Sequence, residues 1–159
     1  MMSTFEANVT ALRTVLPALA QSVARIEPPA DFTIEHSRSG LPTARRGTHY
    51  LHSRHSPRRE ATRIAASLTQ QAGDCYVIYG IGLAYLVEAL LETTTDEAIV
   101  VVEADLRMLA AALSTRLMDK LLMHPRLRLM IAPSPAEFTQ FLSGLRTRRA
   151  TALGLPGTT

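Results

Sequence analysis

Three short apolar runs constrain the fold more than any other feature. CYVIY (75–79), AIVVVE (98–103) and RLRLMI (126–131) each lead into a stretch with helical spacing: LAYLVEALLE, LRMLAAALSTRLMDKLL and PAEFTQFLSGL. In the first two runs the apolar residues are consecutive, not alternating, as in strands covered on both faces. Buried strands alternating with helices make βαβ units, with a parallel sheet and right-handed crossovers. The chain is therefore predicted to be α/β, with a Rossmann-like partial parallel three-layer sheet of three βα units over residues 56–145.

The segments before that region read differently. Residues 1–30 are helical: Phe5, Val9, Leu12, Leu16, Leu19, Val23 and Ile26 recur at spacings of three and four. Ser3 with Glu6 forms a capping-box pattern, and Pro17 is predicted to kink or split the helix. Residues 31–55 contain turn residues at Ser39-Gly40 and Arg46-Gly47. They are predicted to form a small antiparallel meander over roughly 32–37, 42–46 and 48–51. Ser56 is placed to cap a helix that Pro57 begins. Residues 146–159, RTRRATALGLPGTT, show no periodicity and are expected to be a flexible tail.

Composition narrows the class. At 47 % hydrophobic and 19 % charged over 159 residues, the chain belongs with globular proteins and not with disordered ones. Its one cysteine, Cys75, allows no internal disulfide and reads as a buried small hydrophobe. The N-terminus lacks a basic leader, Glu6 and Arg13 interrupt its apolar residues, and no later run reaches membrane-spanning length. A soluble, cytoplasmic protein with no membrane association is expected. Net charge is +3, but its sign is segregated. Residues 31–63 hold seven Arg against three acids, 64–125 hold three cations against eight acids, and 126–159 hold five Arg against one Glu. That pattern fits either an anion-binding face or internal charge complementarity. Arginines without interleaved aromatics disfavour nucleic acid.

Two stretches carry candidate chemistry. Gly80 and Gly82 follow the first strand and open a helix, which is the phosphate position of a Rossmann-like fold. Glu103 ends the second strand twenty-one residues after Gly82, where an acid bonds ribose hydroxyls. The cofactor expected there is a nucleotide or nucleotide-sugar. The GxGxxG pattern is incomplete, with Ala84 and Tyr85 in its second half, so the glycines equally suit close strand–helix packing. The second stretch, THYLHSRHSPRREA, spaces His49, His52 and His55 three apart. That spacing fits neither a strand face nor a known zinc pattern, and no metal is expected. His52, Ser53, Pro57 and Glu60, with Arg58 and Arg59, form either an anion-contacting helix entrance or a capped hinge between meander and sheet.

These residues resemble a known family. SGLPTARRGTHYLHSRHSPRREA, VIYGIGLAYLVEALLE and IVVVEAD are similar to the N-terminal part of the motility-associated-factor proteins, bacterial flagellin glycosyltransferases. The matching positions are Gly40, Pro42, Thr43, His52, Ser53, Pro57, Glu60, Ala61, Gly80, Gly82, Leu83 and Glu103, within roughly residues 30 to 142. The resemblance implies a bacterial flagellin-glycosylation pathway that transfers a nonulosonic acid, such as pseudaminic acid, from its CMP derivative to Ser or Thr. It places that chemistry in a later, sialyltransferase-like domain, expected to be missing here. No catalytic residue is therefore assigned. The expected partners are that transferase domain, flagellin, or a second copy of the chain. The alternatives are a small nucleotide- or S-adenosylmethionine-binding enzyme and a ligand-free dimerisation module.

Overall fold

The structure is a computed structural model that describes residues 1–71 and 73–145, and the backbone of 150–154. Helix α1 (Thr4–Val15) starts at a complete capping box. The Glu6 backbone N–H donates to Ser3 Oγ at 3.2 Å, and the Ser3 N–H donates to a Glu6 carboxylate oxygen at 2.7 Å. Pro17 has no N–H to continue the ladder, so a second helix, α2 (Pro17–Val23), starts there. The meander follows as β1 (Phe32–His36), β2 (Pro42–Arg46) and β3 (His49–Tyr50), antiparallel throughout, with Ile34 opposite Ala44. Helix α3 (Pro57–Leu68) has Pro57 in its first turn and Ser56 as N-cap, accepting from the Arg59 N–H at 3.4 Å.

The parallel sheet is built from β4 (Cys75–Tyr79), β5 (Ala98–Glu103), β6 (Leu127–Ile131) and β7 (Ala150–Gly154). Between them run α4 (Tyr85–Thr93), α5 (Leu106–Thr115), α6 (Asp119–Leu122) and α7 (Pro135–Leu145). Spatial order is β6-β5-β4-β7. Numbered within this sheet, that is third, second, first, fourth, the order of the first four strands of a Rossmann sheet. The period-2 pleat sorts the side chains. Tyr76, Ile78, Ile99 and Val101 share a core with Leu12, Ala61, Leu90, Leu109 and Leu113, whereas Cys75, Val77, Val100 and Val102 pack with Phe138 and Phe141 of α7. Covering both faces makes three layers, and each fully buried Val, Ile or Leu contributes about 1.5–3 kcal/mol. Ala44 and Leu51 of the meander region join the larger core, so helices, meander and sheet meet in one apolar cluster.

Two expectations need correction. The stretch LRMLAAALSTRLMDKLL forms two helices, not one, because Asn8 of α1 inserts at the break. The Asn8 amide donates to the carbonyls of Leu113 (2.8 Å) and Arg116 (2.6 Å), and its oxygen accepts from the Met118 N–H at 2.7 Å. The expected flexible tail contains β7, whose backbone pairs in parallel with β4, Cys75 opposite Ala150 and Tyr79 opposite Gly154. Strand β4 offers a second row of unpaired backbone groups opposite β5, and β7 satisfies it. Residues 146–149 and 155–159 of that tail lie outside the described residues. Among the described residues, no helix is long and apolar enough to cross a membrane.

Candidate functional site

The glycine turn joins β4 to α4 as expected from its sequence. Gly80 has φ 88° and Gly82 φ 53°, left-handed values that a Cβ penalises and glycine adopts freely. Glu103, at the carboxyl end of the neighbouring strand, is buried and reaches this turn. One of its oxygens accepts from the Ile81 N–H at 3.0 Å and the other from the Asp105 N–H at 2.9 Å. The Leu83 N–H donates to His52 Nε2 at 2.8 Å, and the Leu83 carbonyl accepts from Arg116 at 2.7 Å. The structure thus brings Gly80, Gly82 and Glu103 together. It also shows that the Ile81 and Leu83 N–H groups, donors of the kind a phosphate takes at such a turn, are already engaged by the chain's own carboxylate and imidazole.

His52 lies behind this turn, only 7 % exposed. Burial, reinforced by the nearby Arg116 charge, pushes its pKa down to about 4, so the ring is neutral at ordinary pH and can accept from Leu83. The Tyr85 ring meets His52 edge-on at 5.2 Å, lies under the Arg116 guanidinium at 3.9 Å, and donates its hydroxyl to the Pro42 carbonyl at 2.6 Å. Arg116 also donates to Glu88 at 2.9 Å. Tyr85 therefore ties α4 to the meander. Ser53 and Glu60 knit the connector: the Ser53 N–H donates to the Glu60 carboxylate at 2.8 Å, and Ser53 Oγ accepts from the His55 and Ser56 N–H groups. Pro57 is buried beside them. His49 and His55 are exposed, whereas His52 is buried with its Nε2 lone pair occupied. Among the described residues, no group of three His, Cys, Asp or Glu is placed to hold a metal.

A cleft of ≈ 500 Å³ opens at the carboxyl ends of β4, β5 and β6. Tyr79, Gly80, Glu103, Ala132, Pro133 and Phe138 are among the residues lining it. Tyr79 and Phe138 stand edge-to-face at 6.2 Å, and Ala132 takes a left-handed φ of 45°. Such walls suit a flat, largely apolar ring, with the Glu103 carboxylate retaining lone pairs for a hydroxyl or amine donor. This is where open α/β sheets bind ligands, and Tyr85 does not line it. Sequence reasoning missed Asn8 and Arg116. Asn8 looks like one more polar residue in an amphipathic helix, and no local pattern marks Arg116 as the partner of residues some thirty positions away.

The fold as a whole has a counterpart among solved proteins. The chain is similar in fold to a MAf glycosyltransferase. The solved protein is from Magnetospirillum magneticum AMB-1, and the match has TM-score 0.68 and 18 % identity over 95 % of this chain. It covers 32 % of that protein. An uncharacterised protein of Treponema pallidum (strain Nichols) is 34 % identical over 118 residues, 72 % of this chain and 40 % of that protein. The chain thus spans less than half of either. MnmC2 from Aquifex aeolicus aligns with TM-score 0.39 and 16 % identity over 76 % of this chain and 49 % of its own, a likeness too slight to bear on the fold. No family model matches the chain.

Proposed function

We propose that the chain is a non-catalytic, Rossmann-like module of a flagellin glycosyltransferase-like protein that handles a nonulosonic acid. The observation that carries this reading is the fold likeness to a MAf glycosyltransferase along 95 % of the chain, including the meander and N-terminal helices. The site geometry supports the non-catalytic part. Glu103 and His52, the buried acid and imidazole nearest the glycine turn, both hold backbone N–H groups in place. The module's work is then to present a rigid surface to a transferase domain, in cis or as a partner, in the cytoplasm. Intact-mass spectrometry of flagellin from cells with and without the gene tests the pathway. The expected result is loss of the nonulosonic acid mass on deletion, and an unchanged flagellin mass would overturn the reading. Purified chain, incubated with flagellin and the CMP-activated sugar, should transfer nothing by itself.

The cleft beside Glu103 favours a second reading, a module that also binds a nucleotide or S-adenosylmethionine at the strand ends. Titration with CMP and with S-adenosylmethionine, followed by amide chemical shifts, separates the two. Shifts at Tyr79, Gly80 and Ala132 would support a ligand in the cleft. Silence at those positions would leave the scaffold reading alone.

A further inference from the structure

Several arginines here have partners of opposite charge or several oxygens. Arg45, Arg46, Arg58, Arg107 and Arg116 form salt bridges, and Arg126 donates to four oxygens around the end of α4. Arg38 and Arg54 form no salt bridge among the described residues, yet they line one pocket of ≈ 410 Å³ on the meander. Two backbone hydrogen bonds hold its walls in register: the Arg38 N–H donates to the Arg54 carbonyl, and the Ser39 N–H to the His55 carbonyl, each at 2.9 Å. The Arg54 guanidinium rests over the Tyr50 ring at 5.0 Å, a stacked arrangement that leaves its N–H edge for another acceptor. The pocket's one carboxylate, Glu35, is already held by Arg45 at 2.9 Å and by the Tyr50 hydroxyl at 2.8 Å, so its charge is offset from behind. His36, His55 and Ser37 supply further polar groups around the rim.

We infer that this pocket, between the β1–β2 turn and the 53–55 loop, binds a phosphate group. Two guanidinium groups that line one polar concavity and form no salt bridge among the described residues match the charge and donor chemistry of a tetrahedral oxyanion, and Arg54 also offsets the charge of Glu35. The site is separate from the strand-end cleft and does not rest on the pathway reading above. The phosphate can be free or carried by a nucleotide, and the probes distinguish these sources. Amide chemical shifts of the ¹⁵N-labelled chain are followed during titration with inorganic phosphate, CMP and cytidine at constant ionic strength. The expected result is movement of Ser37, Arg38, Arg54 and His55 with phosphate and CMP but not with cytidine. Saturation by inorganic phosphate alone would identify free phosphate as sufficient, and tighter binding of CMP would identify the nucleotide as carrier. Arg38→Gln and Arg54→Gln are each expected to weaken binding roughly tenfold, the loss of one charge-assisted hydrogen bond. Both positions are exposed, so the variants should fold as the parent does. Arg13→Gln, which removes the same charge from α1, should leave the affinity unchanged. The inference is overturned if phosphate moves none of these amides, if cytidine moves them equally, or if Arg13→Gln weakens binding as much as the pocket variants.

Discussion

His52 shows how one side chain converts a sequence ambiguity into a structural commitment. Its ring must be neutral to accept from the Leu83 N–H, and burial holds its pKa near 4 against an ordinary 6.5. Between those values the unfolded chain binds a proton that the folded chain refuses. The stability His52 supports is therefore intact above pH 6.5 and is lost as pH falls toward 4. That loss should be on the order of 3 kcal/mol. Urea unfolding at pH 7 and pH 4.5 measures it, and in His52→Gln the His52 share of that difference should vanish. At neutral pH, His52→Ala should cost about 1–3 kcal/mol, because the Leu83 N–H is left buried without an acceptor. Asn8 is a parallel case at the α5–α6 break. Asn8→Ala strands two carbonyls and one N–H and should cost about 3 kcal/mol in the same measurement.

Among the elements, end chemistry was readable where it is local and hidden where it is not. The Ser3–Glu6 box and the Ser56–Pro57 start involve residues three apart or adjacent, so pattern sufficed to place them. The end of α4 is closed differently. Arg126, on the approach to β6, donates to the carbonyls of Leu91, Thr94 and Glu97 and to the Thr94 hydroxyl at 2.7–3.0 Å. A cation there also meets the negative end of the helix dipole. Arg126→Ala should lower stability by about 2 kcal/mol. Lysine at 126 should restore less than half of that, since a single ammonium cannot reproduce the guanidinium fork. Ser56→Ala should cost about 1 kcal/mol, the ordinary worth of an N-cap. Thermal melts of the three variants rank them directly.

The whole molecule is organised by β4. It lies inside the sheet with β5 on one side and β7 on the other, and the larger core joins its inner face to α1, α3 and the meander region. Removing residues 146–159 would expose the backbone edge that β7 covers. Such a truncated chain should associate as concentration rises, with elution volume in size-exclusion chromatography falling relative to the parent. An elution volume independent of concentration would mean that β7 does not protect that edge. Part of the segregated charge is explained at this scale as well. Arg58 and Arg116 converge on Glu88, and Arg46 and Arg107 on Asp105, so cations from the basic segment before the acidic middle join the middle's own arginines at its carboxylates.

Most element types, the Rossmann-like class and the position of the glycine turn were legible in the sequence. Each follows from short-range periodicity, from the φ values glycine permits, or from caps whose partners are three residues apart. It also placed Glu103 at a strand end, because an apolar run must stop where the sheet does. The surroundings of those groups were set by the tertiary structure. Glu103 lines the cleft while accepting from the Ile81 and Asp105 N–H groups, and His52 is buried and accepts from the Leu83 N–H. Strand β7 and the Asn8 clamp were likewise invisible, since their hydrogen-bonding partners lie about 75 and 105–110 positions away. A backbone edge or a stranded carbonyl acquires its partner only when the chain closes on itself, and no local pattern records which residue will arrive.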